Sequence, residues 1–95
     1  MKIAFIGGGV MAEAIIKGVL RQPASQPGDI CVGEPIEARR QQLAQRYGIA
    51  TTPANLEACQ RGDLVILSVK PQNLPDVLAE LRGALRREQA VVSIV

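Results

Sequence analysis

The chain has 95 residues, which suits one small domain, and 47% of them are hydrophobic although only 2% are aromatic. A net charge of +2, with one Tyr and one Phe in the whole chain, argues against a nucleic-acid partner, because such binding needs basic patches and aromatic stacking platforms. The chain has no His, and Cys31 and Cys59 match no metal-ligand spacing, which argues against a metal site and against a His-based catalytic triad.

The first third of the chain predicts a strand, a helix and a loop. Residues 2–7 form an apolar run that glycines stop, as in a buried strand. Residues 10–20 carry apolar side chains at helical spacing, so we expect a helix whose packed face includes Met11 and Ile15. Two prolines and a glycine in 22–28 indicate a loop before the next element.

The middle of the chain repeats this order. Residues 29–33 predict a second short strand, and 36–47 return to helical spacing, with Gly48 placed to end that helix. A brief extended piece follows at 49–51. Thr52 is then expected to cap a short helix that begins at the next residue, a proline.

The last third contains the clearest buried strand, the apolar run 63–69. A helix is expected over 74–85, and 90–95 begins another apolar strand. The leucines expected on the packed face of that helix are Leu74, Leu78, Leu81 and Leu85. Alternation of this kind predicts an α/β fold, a Rossmann-like doubly wound parallel sheet with helices on both faces.

A glycine-rich turn over 7–12 (Gly-Gly-Gly-Val-Met-Ala) joins the first strand to the first helix. G-x-G-x-x-A spacing in this position is typical of dinucleotide-binding domains. Gly7 permits the tight turn, Gly9 leaves the backbone open to a pyrophosphate, and Ala12 lets the helix pack closely on the sheet. The helix N-terminus adds unpaired N–H groups and partial positive charge. We therefore predict one dinucleotide-binding domain over 1–95; a glycine turn without a ligand is the alternative.

Glu34 follows the second predicted strand, where dinucleotide-binding folds place an acidic residue that holds the adenosine ribose. Its carboxylate would accept hydrogen bonds from the ribose hydroxyls of NAD and would repel the 2′-phosphate of NADP. Arg39 and Arg40 would offset that repulsion, although a solvated helix face is the expected role for both. A solvated carboxylate is the alternative for Glu34. The combination favours use of both NADH and NADPH.

Three segments together resemble the pyrroline-5-carboxylate reductase family. They are 3–15 around the glycine turn, Ser-Val-Lys-Pro-Gln at 68–72, and Val-Val-Ser-Ile at 91–94. The resemblance covers the whole chain in order. It implies reduction of the C=N bond of 1-pyrroline-5-carboxylate to L-proline, by hydride transfer from NADPH or NADH, in proline biosynthesis. Val10 and Glu34 depart from the residues that are frequent in the family at those positions.

The resemblance also implies a set of cofactor contacts. Residues 6–11 cradle the pyrophosphate, Glu34 meets the adenosine ribose, Asn55 lies near the adenosine, and 68–71 line the cofactor toward its nicotinamide. The full set is Ile6, Gly7, Gly8, Gly9, Val10, Met11, Glu34, Asn55, Ser68, Val69, Lys70 and Pro71. For Asn55 a helix-start role is the alternative, and for Lys70 a solvated charge is the expected role.

Members of the family are much longer than this chain. The resemblance implies that a C-terminal helical domain binds the substrate, builds the homo-oligomer and supplies polar groups near the imine. Because none of that domain lies in 1–95, we expect no catalytic residue here, weak dinucleotide binding and no reductase activity from this chain alone. The end at Val95, inside a predicted strand, indicates a fragment of a longer protein.

Two other functions stay open. One is the cofactor domain of a different reductase, such as a β-hydroxyacid dehydrogenase or a deazaflavin-dependent NADP reductase. The other is a module that senses NAD(P) without chemistry. No signal-peptide pattern and no apolar stretch of ~20 residues are present, so we expect a cytoplasmic protein without a membrane partner. Both cysteines are expected to be buried thiols.

Overall fold

Strands and helices alternate along the chain, as the hydrophobic pattern predicts, and the computed structural model describes every residue from Met1 to Val95. The strands are β1 (Ile3–Ile6), β2 (Ile30–Gly33), β3 (Ala50–Thr52), β4 (Leu64–Leu67) and β5 (Ala90–Ser93). The helices are α1 (Val10–Leu20), α2 (Glu37–Tyr47), α3 (Asn55–Arg61) and α4 (Leu74–Leu81), with 3-10 turns at Pro27–Asp29 and Pro71–Asn73. A membrane span would need a longer apolar helix than any of these four.

All five strands pair in parallel in one sheet, in the order β3-β2-β1-β4-β5. The central strand is β1, where Phe5 is level with Val32 on one side and with Ile66 on the other. The chain runs outward from β1 to β3 and then returns past β1 to β4, so the direction of strand addition reverses between β1 and β4. The predicted doubly wound Rossmann-like sheet is confirmed. A reversal of this kind leaves a crevice at the carboxyl ends of the strands, where open α/β sheets bind ligands.

Each face of the sheet has its own apolar core under two helices. Under α1 and α2 the buried residues are Phe5, Ala12, Ile16, Ile30, Val32, Leu43, Ile49 and Ile66. Under α3 and α4 they are Ala4, Ile6, Cys31, Ala58, Cys59, Val65, Leu67, Val77 and Leu81. Successive residues of β1 enter opposite cores because strand side chains alternate between the two faces of a sheet. Helices therefore cover both faces, as predicted, and the cysteines are buried and unpaired.

The packed face of α1 differs from its predicted composition. Ala12 and Ile16 are fully buried, whereas Met11 is 62% exposed, so its predicted place among the packing residues is wrong. Ile15 does pack, in part, against the core. The small Ala12 lets α1 approach the sheet, which is why the buried stripe runs through it and leaves its neighbour Met11 outside.

The third helix begins later than predicted. α3 starts at Asn55 with Ala54 before it, two residues beyond the predicted start at Pro53. Thr52 remains in β3 because its carbonyl accepts the Glu34 N–H at 2.9 Å. Its hydroxyl oxygen nevertheless accepts the Ala54 N–H at 3.1 Å, so Thr52 stabilises the turn that leads into the helix.

The fourth helix is shorter than predicted. α4 ends at Leu81, because Arg82 leaves the helical conformation with ψ 129° and Gly83 takes a left-handed φ of +82°. Val77 and Leu81 are its buried positions, whereas Leu78 is 48% exposed. Leu85, beyond the helix, is 41% exposed. The packed stripe therefore runs through 74, 77 and 81, so the predicted packing is confirmed for Leu74 and Leu81 and wrong for Leu78 and Leu85.

Candidate functional site

A cavity of about 570 Å³ opens at the carboxyl ends of β1, β2 and β4, at the reversal of strand order. It lies over the glycine turn between β1 and α1. Its wall is formed by Gly7, Gly8, Gly9, Gly33, Glu34, Pro35, Ile36, Arg39, Asn55, Ser68, Val69, Lys70, Asn73, Asp76, Val77 and Glu80. This volume is in the range of cavities that hold a cofactor or a small ligand.

The glycine turn has the conformation that its residue types predict. Gly7 has a φ of +103°, a region that side-chain-bearing residues rarely adopt. Its N–H donates to the Gly33 carbonyl at 2.8 Å, and the Ser68 hydroxyl donates to the Gly7 carbonyl at 2.7 Å. The ends of β1, β2 and β4 are thereby tied together at this residue. Gly9, by contrast, faces open space: an added Cβ would meet no heavy atom within 4 Å.

Glu34 is buried beside this turn and is only 8% exposed. One of its carboxylate oxygens accepts the Gly8 N–H at 2.9 Å, and the other accepts the Ile36 N–H at 3.0 Å. A solvated carboxylate, the alternative drawn from the sequence, is therefore wrong. The side chain lines the cavity and holds the middle of the turn at the same time.

Arg39 lies across the turn from α2, with its side chain 20% exposed. Its Nε donates to the Gly8 carbonyl at 2.5 Å, and its Nη2 donates to the Gly9 carbonyl at 3.2 Å. Nη2 also pairs with the Glu13 carboxylate of α1 at 2.8 Å. The expected solvated helix face is wrong for this residue. The one-dimensional pattern missed it because partners 26 and 31 residues away cannot be read from helical spacing.

The second arginine of the pair also turns back to the backbone. Arg40 donates from Nη1 to the carbonyls of Glu34 and Pro35, each at 2.8 Å. Its guanidinium therefore stabilises the segment that follows β2, and Arg40 does not line the cavity.

Glu13 joins α1 to α2 through three partners. Its carboxylate accepts hydrogen bonds from the Tyr47 hydroxyl and from the guanidinium groups of Arg39 and Arg46. The Tyr47 hydrogen bond, followed by that from Arg39, lowers the pKa of Glu13 from 4.5 to about 2. The carboxylate is therefore charged at every ordinary pH, and it stabilises the fold in that form.

Glu13→Gln is expected to destabilise the fold by about 1–2 kcal/mol at pH 7, a value reduced for partial solvent screening. The folded-state pKa lies below the unfolded value, so the contribution is complete above about pH 5 and is lost as the pH falls toward 2. Urea unfolding followed by circular dichroism at pH 7 and at pH 2.5 measures both quantities. The exposed Glu37→Gln is the matched control. A stability difference between Glu13→Gln and the unmodified chain that does not shrink at low pH would contradict this assignment.

The opposite wall of the cavity comes from α3, from the end of β4 and from α4. Asn55 is the first residue of α3, and the Ser68–Lys70 segment follows β4; both line the cavity. The sequence reasoning missed seven wall residues: Gly33, Pro35 and Ile36 around Glu34, and four that lie at the start of α4 and along one of its faces. These four are Asn73, Asp76, Val77 and Glu80. Their i, i+3, i+4, i+7 spacing indicates a shared helix face, but the leucines of the same segment predict a different face as the packed one.

Four predicted contact residues do not form the wall. Ile6 is buried in β1, and its carbonyl accepts the N–H and the hydroxyl of Ser68, at 2.9 and 3.2 Å. Val10 and Met11 are 82% and 62% exposed at the start of α1, beside the opening. Pro71 begins the 3-10 turn after the wall segment. Any ligand contact from these four residues would come from outside the described cavity or through backbone groups.

The wall carries three carboxylates, from Glu34, Asp76 and Glu80, and two cationic groups, from Arg39 and Lys70. It contains no Cys and no hydroxyl group other than that of Ser68. That hydroxyl already donates to the Ile6 and Gly7 carbonyls. The arrangement thus offers backbone donors, hydrogen-bond acceptors and a shaped crevice. It suits the holding of a polar ligand more than covalent or acid–base chemistry.

Comparison with known proteins finds similarity to reductases along nearly the whole chain. A reductase described as pyrroline-5-carboxylate reductase from Synechocystis sp. is 42% identical over 95 residues, which are all of this chain and 35% of that protein. The structure of a pyrroline-5-carboxylate reductase from Coxiella burnetii is 32% identical with a TM-score of 0.89, over 97% of this chain and 34% of that one. The predicted resemblance is confirmed. The chain spans about a third of the length of the curated relatives it matches.

A variant of an imine reductase from Myxococcus stipitatus, in complex with NAD+, is 26% identical with a TM-score of 0.79, over 99% of this chain and 31% of that one. The family model that matches residues 2–95 is described as NADP oxidoreductase, coenzyme F420-dependent. Since that match takes in the glycine turn, the Glu34 position and every wall of the cavity, the chain belongs to the family of coenzyme F420-dependent NADP oxidoreductases.

Proposed function

We propose that this chain binds a nicotinamide dinucleotide, NADH or NADPH, in the cavity over the glycine turn. The observation that carries the proposal is the open face of Gly9, where an added Cβ would meet nothing within 4 Å. A pyrophosphate can therefore approach the backbone there, directly in front of the N-terminus of α1. The imine reductase complex with NAD+ supports the same ligand class.

The cofactor contacts follow from the places of the wall residues. The glycine turn and the first N–H groups of α1 would hold the pyrophosphate, which brings Val10 and Met11 in through the backbone. Glu34 would receive the adenosine ribose, with Asn55 on the adenosine side. Each Glu34 oxygen already accepts one N–H, and a carboxylate oxygen can accept a second hydrogen bond. The segment 68–71 would extend toward the nicotinamide.

We further propose that the chain is the cofactor domain of a pyrroline-5-carboxylate reductase, which reduces 1-pyrroline-5-carboxylate to L-proline. The support is the 42% identity to a reductase of that name along the whole chain. The substrate groups and the interface of a homo-oligomer would lie outside these 95 residues. We place the protein in the cytoplasm, because its two buried cysteines are unpaired and free thiols are typical of reducing compartments.

A second candidate is a reductase that exchanges hydride between NADP and coenzyme F420, which the description of the matching family favours. The two functions differ in the second substrate and not in the dinucleotide. Assays of the full-length protein with pyrroline-5-carboxylate and with reduced F420, each with NADPH and NADH, distinguish them. Turnover with F420 but not with pyrroline-5-carboxylate would overturn the first proposal in favour of the second.

Titration of the 95-residue chain with NADH and NADPH tests the cofactor proposal. We expect weak, saturable binding of both, seen as a change in the fluorescence of the reduced nicotinamide, and no reduction of pyrroline-5-carboxylate. The chain has no Trp, so this signal has no competing indole emission. NADPH binding more than about tenfold tighter, a gap of roughly 1.4 kcal/mol, would contradict the role of Glu34. Turnover by the chain alone would contradict the placement of the substrate groups elsewhere.

A further inference from the structure

The peptide groups of the glycine turn are held by two side chains that come from the β2–α2 region. Glu34 accepts the Gly8 N–H at 2.9 Å, while Arg39 donates to the carbonyls of Gly8 and Gly9 at 2.5 and 3.2 Å. A glycine backbone has more conformational freedom than that of any other residue. Without Arg39 the Gly8–Gly9 peptide would have no hydrogen bond to hold it, because neither the Gly8 carbonyl nor the Gly9 N–H has a backbone partner.

The guanidinium of Arg39 is itself fixed on the far side. Nη2 pairs with Glu13 of α1 at 2.8 Å, and Nη1 donates to the Gln42 side chain, one turn further along α2, at 3.1 Å. All three guanidinium nitrogens therefore have acceptors inside the chain. The planar fork of an arginine suits this use, since it can bind several acceptors at fixed angles. Four of its five N–H groups are thus used within the chain, so most of the hydrogen-bonding capacity of the guanidinium is spent on the turn and its surroundings.

We propose that Arg39 is a positioning residue, which holds the glycine turn in the shape that receives the cofactor pyrophosphate. The inference rests on the proposed cofactor function. In a planar trans peptide the C=O and the following N–H point in opposite directions. By fixing the Gly8 carbonyl on its own side, Arg39 directs the Gly9 N–H the other way, and that N–H has no acceptor within the chain. A turn that is already in the bound shape loses less conformational entropy when the ligand binds.

A positioning role and a phosphate-binding role make different predictions for the two cofactors. They share the pyrophosphate, but only NADPH has the 2′-phosphate. Arg39→Met is expected to weaken NADH and NADPH binding to the 95-residue chain equally, by about tenfold. Arg39→Lys keeps the charge and the ion pair with Glu13 but loses the fork, so a smaller and again equal loss is expected.

Arg46→Met is the matched control, because Arg46 pairs with the same Glu13 at 3.1 Å but contacts no atom of the turn. It is expected to lower the melting temperature of the chain without changing either affinity. Amide hydrogen exchange gives a second readout that overall stability does not imitate. Protection of the Gly8 N–H should fall in Arg39→Met and stay unchanged in Arg46→Met, relative to the core strands of each variant.

Each other outcome overturns the inference. A loss confined to NADPH would make Arg39 a ligand of the 2′-phosphate. Unchanged affinities with unchanged Gly8 protection would show that the turn holds its shape without Arg39. If Arg39→Met does not fold, Arg39→Lys decides the question with the same two readouts. If the unmodified chain binds neither cofactor, the proposed function fails first, and the inference fails with it.

Discussion

Gly7→Ala is expected to destabilise the chain by about 3–4 kcal/mol, a large part of the stability of a domain of this size. Two costs add at this residue. Its φ of +103° strains any residue that carries a Cβ. The new Cβ would also lie 2.8 Å from the Ser68 carbonyl oxygen and 3.0 Å from its carbon. Ser68 cannot retreat cheaply, because its N–H and its hydroxyl are both bonded to the end of β1.

Two other glycines separate those costs. Gly83 has a φ of +82° but nothing within 4 Å of an added Cβ, so Gly83→Ala should cost only the backbone strain, about 1 kcal/mol. Gly18 lies within α1 with open space around it, and Gly18→Ala should stabilise the chain by about 0.5–1 kcal/mol. Urea unfolding of the three variants measures the series. A Gly7→Ala variant no less stable than Gly83→Ala would show that the turn does not hold the strand ends as described.

Gly9→Val is expected to leave the fold nearly intact and to weaken dinucleotide binding by about a hundredfold or more, equivalent to roughly 2.7 kcal/mol. Gly9 has a φ of −81°, which every residue adopts, and an added Cβ has no neighbour within 4 Å. The fold therefore gives only a weak reason for glycine at this position, namely the helix N-cap preference over valine, worth about 1 kcal/mol. A cofactor gives a stronger one, because a branched side chain would occupy the space through which the pyrophosphate approaches the backbone.

The measurement is a titration of NADH fluorescence on Gly9→Ala, Gly9→Val and the unmodified chain, with melting temperatures for each. The affinity loss should grow from alanine to valine while the melting temperatures stay close together. Gly18→Ala is the control for a glycine replacement on the same helix, away from the cavity. Undiminished binding by Gly9→Val would remove the main support for the proposed site, because the open face of Gly9 would then not be where the ligand lies.

Much of the fold could be predicted from local pattern. The apolar run before the glycine turn, the helical spacing after it and the left-handed Gly48 at the end of α2 are properties of a few neighbouring residues. They need no knowledge of the rest of the chain. The element boundaries depend instead on contacts that compete with the local pattern. Thr52 stays paired with β2, so α3 begins only at Asn55. The left-handed turn at Gly83 ends α4 early.

For the site, spacing, residue type and motif order are enough to predict the glycine turn, the acidic residue after β2 and the reductase family. The contacts of Glu34 and Arg39 depend instead on how the chain packs. Their partners on the glycine turn lie 26 to 31 residues away and come close because parallel strands bring their carboxyl ends to one edge. The same packing turned one face of α4 toward the cavity and left Met11 outside the core. Which side of a helix meets the sheet depends on the whole layer, and no local period specifies it.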